Sequence, residues 1–183
     1  MCDSIRLETE RLILRPTRME DLDAWVAFMA DPEAARFIGG PQPPASVWRS
    51  MMAMAGSWRL MGFSMFSVIE RDSGRWIGRV GPWRPEGWPG NEIGWGLIRE
   101  AWGQGYAREA ATASIDWAFE TLGWTEMIHC IDPDNRASQA LAHRLGSANS
   151  GVGRLPPPFE TLPVHIWRQS REQWQDNRRH GRV

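Results

Sequence analysis

Residues 100–110 read EAWGQGYAREA: Gly103 and Gly105 flank Gln104, Tyr106 follows, and an alanine-rich helical pattern begins with Arg108 in its first turn. Without a Cβ, the two glycines let the backbone curl so that successive amides converge on one point. A helix starting at Tyr106 adds free N–H groups and about half a unit of positive charge. Arg108 opposes that dipole unless an anion sits there. The predicted chemistry is a cradle for a pyrophosphate, although a plain tight turn uses the same glycines. Just upstream, EIGWGLIR carries Gly94 and Gly96, which weaken a strand unless a bulge or a close backbone approach needs them. A bulge there would splay the strand from its neighbour and turn unpaired N–H groups into a gap. The P-loop is excluded, because Gly-Lys-Ser/Thr is absent. The third glycine of a dinucleotide fingerprint is replaced by Arg108 in one frame and Arg99 in the other.

Other groups with chemistry are few. His129, in TEMIHCID, titrates near neutrality if exposed, and is a packed, hydrogen-bonded strand residue otherwise. Asp132 and Asp134 shape the turn before a helix cap. Four histidines and two cysteines, Cys2 and Cys130, show no ligand spacing, so no metal is expected.

The elements that must position these groups follow from periodicity. ETERLILR (8–15) alternates as a strand, and a helix follows over 19–30 with Thr17 as N-cap and Glu20 in its capping box. After the loop GGPQPP, a second helix spans 45–61, apolar around most of its circumference. FSMFSVIER and RWIGRVGPW form a hairpin around RDSG. The loop RPEGWPGN leads into EIGWGLIR and a helix over 106–122, which Gly123 ends. TEMIHCID is a strand, Asn135 caps the helix ASQALAHRL, and SANSGVGR and LPVHIWRQS are the last strands. The basic end, Arg178-Arg179-His180-Gly181-Arg182, reads as a solvated, disordered tail over 176–183.

At 183 residues, 42% hydrophobic and net charge −1, the chain fits one soluble domain and gives no reason to expect a nucleic-acid or membrane partner. The N-terminal stretch lacks a continuous apolar run and the cysteines form no framework, so a cytoplasmic protein is expected. Twelve tryptophans face a single tyrosine. Trp76, Trp83, Trp88, Trp95 and Trp102 cluster, either as core packing or as an aromatic substrate groove.

From EIGWGLIREAWGQGYAREA through DPDNRASQALAHRLG, the chain resembles the GNAT superfamily of acyl-CoA-dependent N-acyltransferases. ETERLILRPTRMEDLDAW resembles its RimJ/RimL-type branch, and the element order agrees over residues 8–170. The resemblance implies an α+β sandwich whose central sheet is mixed, mostly antiparallel, covered by helices on both faces, and splayed at two central strands. It implies acetyl-CoA as co-substrate. The amides of Gly103, Gln104, Gly105, Tyr106, Ala107 and Arg108 would hold the pyrophosphate. Leu97, Ile98 and Arg99 would pair with the pantetheine arm and orient the acetyl carbonyl. Asn135 and Ser138 would contact that arm near the thioester, and Arg144 would approach the adenosine.

The implied catalytic set is Glu92, Asn135 and Ser138, with Glu92 as base for the amine. Ser138 or a water protonates the leaving thiolate, because the sole tyrosine lies at the cradle. The acceptor is a protein or peptide N-terminus or a small-molecule amine, held by the second helix and RPEGWPGN; a homodimer is implied as well. A non-catalytic acyl-CoA-binding sensor or scaffold is the alternative. Two positions depart from the pattern: Glu100 opens the turn where Arg or Gln is usual, and Ser147 follows Gly146 where Phe is usual.

Overall fold

Leu12 and Leu14 are fully buried, as alternation within β2 (Leu12–Arg15) requires. The computed structural model describes residues 5–183; Cys2 lies outside them, and Cys130 is a free thiol. The strand expected over 8–15 is broken in two. β1 (Leu7–Glu8) folds antiparallel onto β2, with Leu7 opposite Leu14. β2, β3 (Phe66–Glu70), β4 (Trp76–Trp83) and β5 (Glu92–Leu97) pair antiparallel in succession. β6 (Glu126–Ile131) lies parallel to β5, and β8 (His165–Ser170) pairs antiparallel with both β6 and β7 (Ala148–Val152). Among the described residues the sheet is eight-stranded in the order β1-β2-β3-β4-β5-β6-β8-β7.

Helices cover both faces. Val68 and Ile69, neighbours on β3, point to opposite sides and fall into different apolar clusters. Ile69 and Trp76 pack with Trp25 and Phe28 of α1 (Leu22–Ala30), Ala35 of α2 (Pro32–Ala35) and Met51 of α3 (Pro44–Met61). Val68 and Ile93 pack with Ala110, Ile115 and Phe119 of α4 (Tyr106–Glu120). α5 (Arg136–Arg144) follows β6 and buries Ala142 against Ile131 and Trp167.

Three further expectations are corrected. The first helix opens as a 3-10 turn over Met19–Asp21, and its start is held by Asp21 rather than by Thr17. Asp21 is buried, accepts from Arg18 N at 2.9 Å and Ser67 Oγ at 2.7 Å, and pairs with Arg15 at 2.7 Å. The basic end is not a disordered tail: α6 (Arg171–Arg179) forms, with Trp174 in the main core and its Nε1 donating to Asp116 at 2.7 Å. Ser170 and Gln173 close a capping box at its start.

The third correction concerns the bulge expected in β5. The β4–β5 register runs unbroken from Gly78 opposite Leu97 to Trp83 opposite Glu92. Its glycines serve clearance instead. A Cβ on Gly94 would lie 2.9 Å from Met65 Cε, and one on Gly96 would lie 3.0 Å from Phe28 Cζ. The splay is nevertheless present, since β5 and β6 share one ladder position, Glu92 opposite Ile128.

Candidate active site

Backbone polarity along β5 follows from its neighbours. Ile98 N donates to Ile77 O at 3.0 Å, toward β4, whereas Asn91 O accepts from Ile128 N at 2.8 Å, toward β6. Alternation then turns the N–H and C=O groups of Ile93, Trp95 and Leu97 toward the gap. Ile93 O is taken by His129 Nδ1 at 2.7 Å, and Leu97 O accepts from Trp102 Nε1 at 2.8 Å. The gap-facing amides of Trp95 and Leu97 can meet an acyl carbonyl. Ile98 is corrected, because its N–H already serves the sheet. Arg99 lies in a 3-10 turn beyond the strand, and its Nε is paired with Asp31 at 2.5 Å.

The glycine turn has the backbone a cradle needs. Gly103 and Gly105 have φ of 72° and 83°, where an L side chain is strained. No side chain caps α4, and no described residue accepts from the N–H groups of Gln104, Gly105, Tyr106, Ala107 or Arg108. Arg11 steadies the turn from behind: it donates to Gln104 O at 2.9 Å, pairs with Glu109 at 2.6 Å and lies 4.4 Å from the Tyr106 ring centroid. Tyr106 is committed to Glu70 through its hydroxyl at 2.6 Å. Glu100 is 66% exposed and faces Arg75 at 3.6 Å, so its carboxylate leaves the turn. Arg108 and Arg144 are exposed.

A cavity of about 380 Å³ runs from the α1–α3 side of the sheet to α5. Trp25, Met54, Arg79, Trp83, Trp88 and Glu92 line one part; Trp95, Ile131, Asn135 and Ser138 line the other. Trp83, Trp88 and Trp95 therefore serve a groove, while Trp76 is core. The second helix and RPEGWPGN contribute Met54 and Trp88 to its lining. Phe37, Leu155 and Phe159 join them from segments that carried no motif, and Trp25 joins them from the end of the opening stretch ETERLILRPTRMEDLDAW.

Glu92 is the group whose burial the sequence hides most. It is 7% exposed; Oε2 accepts from Trp88 Nε1 at 2.5 Å and Oε1 from Cys130 N at 3.0 Å. Burial raises its pKa to about 7, against the pull of those hydrogen bonds and of Arg79. A carboxyl poised there suits proton transfer at neutral pH. His129 takes the packed alternative: it is buried between Ile93 O and Ser147 Oγ, the latter at 3.0 Å, and burial lowers its pKa to about 4. A carbonyl can only accept, so Nδ1 carries the proton and Nε2 accepts from Ser147. Ser147, which departs from the Phe that the resemblance implies at this position, gives this ring a partner.

Across the gap, Asn135 Oδ1 caps α5 by accepting from Ser138 N at 3.1 Å. Ser138 Oγ accepts from Trp95 Nε1 at 3.1 Å, which leaves its own proton free. Among the described residues no cluster of His, Cys, Asp or Glu could hold a metal, and no helix is long and apolar enough to cross a membrane.

An opened mixed sheet beside an uncapped glycine-led helix defines the class. The chain belongs to the GNAT acetyltransferase family: residues 11–148 match its acetyltransferase (GNAT) domain. It is 32% identical over 151 residues to the uncharacterized N-acetyltransferase p20 of Bacillus licheniformis, covering 81% of this chain and 85% of the relative. An acetyltransferase crystal structure from Agrobacterium tumefaciens superposes with TM-score 0.79 at 34% identity, covering 91% of this chain and 95% of that one. The fold is also that of a ribosomal-protein-S5-alanine acetyltransferase from Vibrio fischeri, with TM-score 0.69 at 18% identity over 93% of this chain and 99% of the other.

Proposed function

We propose that this protein transfers an acetyl group from acetyl-CoA directly to a primary amine in a ternary complex. The observation that carries this reading is the cavity that joins the buried carboxyl of Glu92 to Ser138 through the opened sheet. Acetyl-CoA supplies the activated acetyl group, and the uncapped start of α4 and the gap-facing amides fit its pyrophosphate and pantetheine arm.

Glu92 takes one proton from the acceptor ammonium, leaving the nitrogen lone pair free to attack. The N–H groups of Trp95 and Leu97 donate to the carbonyl oxygen as charge develops on it. Ser138 gives its proton to the departing sulfur and recovers one from the nitrogen, so the C–N bond forms as the C–S bond breaks. Asn135 orients Ser138 by fixing the first turn of α5. Arg144 is left to the adenosine end.

The acceptor is a protein or peptide N-terminus, in keeping with the RimJ/RimL-type opening, or a small-molecule amine. The homodimer and the cytoplasmic setting implied by the sequence belong to the same proposal. A non-catalytic acyl-CoA sensor has no use for a carboxyl held near neutrality. The test is thiol release from acetyl-CoA across a panel of amines and N-terminal peptides. Amine-dependent release above hydrolysis is expected; tight acetyl-CoA binding with no release from any acceptor would favour the sensor.

A further inference from the structure

Arg79, on the β4 ladder opposite Gly96, reaches into the acceptor half of the cavity. Its Nε is buried and has no partner among the described residues. Nη1 meets only sulfur, Met54 Sδ and Met65 Sδ at 3.7 Å each, and the guanidinium lies 5.3 Å from the Trp25 ring centroid. No described oxygen accepts a hydrogen bond from it. Thioethers and an indole face compensate a buried cation only in part, and a buried charge left without a counter-group is strongly unfavourable.

Among the described residues the one opposite charge acting on it is Glu92; burial lowers the Arg79 pKa to about 10 against that pull, so the guanidinium is charged at neutral pH. At Gly94 a Cβ would lie 2.9 Å from Met65 Cε and 3.7 Å from Glu92 Oε1, so the bare backbone there makes room for the thioether under Arg79 beside the carboxyl. The cavity therefore offers a cationic subsite and an anionic one within a wall of Trp25, Trp83, Trp88, Phe37, Ile38 and Met54. Its volume, about 380 Å³, suits a small ligand. A plain amine would bring a second cation beside Arg79. A zwitterion answers both groups.

We propose that Arg79 binds a carboxylate on the acceptor, so that the acceptor class is a small α-amino acid with an apolar or aromatic side chain, its ammonium facing Glu92. This rests on the acetyl-transfer reading of the same site.

The test separates binding from turnover. With CoA saturating, calorimetry compares L-tryptophan and L-phenylalanine with tryptamine and phenethylamine, and with the two amino-acid amides. The acids bind at least about tenfold more tightly, the scale of a charge-assisted hydrogen bond. Arg79→Met abolishes the preference while CoA still stabilises the variant against heat, and Arg79→Lys keeps part of it. Amines or amides binding as well as the acids, a preference that survives Arg79→Met, or no binding at all would overturn the assignment. Preferential binding of the acids without acetylation would count against acetyl transfer and leave the Arg79 subsite standing.

Discussion

The indole Nε1 of Trp95 donates to Ser138 Oγ at 3.1 Å, so the serine hydroxyl accepts from the protein and keeps its own proton to give. The same indole packs on the His129 ring with centroids 4.8 Å apart. Trp95 thus ties the first turn of α5 to β6 through side chains, where the backbones of β5 and β6 have parted.

If that bond orients the proton donor, Trp95→Phe lowers kcat about fivefold, the worth of one hydrogen bond, with acetyl-CoA affinity held within about twofold. Ser138→Ala lowers kcat further. Steady-state kinetics paired with calorimetry reads both; unchanged turnover in Ser138→Ala removes this serine from the chemistry.

As the proposed base, Glu92 sets the expected pH dependence of activity. With its carboxyl raised to about 7, kcat/KM climbs with pH through that value as the base loses its proton. Glu92→Gln flattens that limb and lowers kcat/KM about a hundredfold or more. A variant that keeps the limb assigns it to another group.

The same burial has a stability signature. A carboxyl with a raised folded pKa binds its proton more tightly when folded, so it costs stability as pH rises from the unfolded value toward 7. His129, lowered to about 4, costs stability in the opposite sense as pH falls below its unfolded value. The two slopes overlap and offset in the wild type. In urea melts, the stability of Glu92→Gln relative to wild type falls by about 3 kcal/mol between pH 8 and pH 4.5. A constant difference would mean that Glu92 titrates normally.

At the cradle, Gly105→Ala must hold a Cβ at φ of 83°, which costs on the order of 1 kcal/mol and displaces the helix start. Acetyl-CoA binds about tenfold more weakly as the amides lose their convergence, while the apo melting temperature falls little. A large fall in stability with unchanged affinity would reverse the assignment and make the turn purely structural.

α6 is structural. Trp174→Ala destabilises the fold by about 3–5 kcal/mol, the usual cost of emptying an aromatic site in a core. Chemical denaturation measures it, and a loss below about 1 kcal/mol would contradict the packing of Trp174 against the core.

The central elements were legible because one period repeats. Leu12 and Leu14 mark a strand, and Ala110, Ala111, Ile115 and Ala118 mark one face of α4, all fully or almost fully buried. A glycine pair marked the turn before α4, since positive φ at Gly103 and Gly105 is a local demand. At Gly94 and Gly96 the same signal allowed a bulge or a close approach, and only the packing of Met65 and Phe28 decides for the second. α6 was missed because a single anchor, Trp174, sits among charges; the Ser170-Gln173 capping box was the readable cue. Glu92 and Arg79 were opaque for another reason. Their burial depends on Trp88, Cys130, Met54 and Met65, which come from other elements and no local pattern announces.

The single ladder position between β5 and β6 makes the sheet behave as two plates joined at a hinge, with Glu92 at the pin. On the proposed function, a pantetheine arm lying in the gap would act as a borrowed strand and would stiffen the joint as well as deliver its cargo. Amide exchange in β6 and β8 slows when acetyl-CoA binds, far beyond the residues it touches, while β2 and β3 keep the rate they have without it.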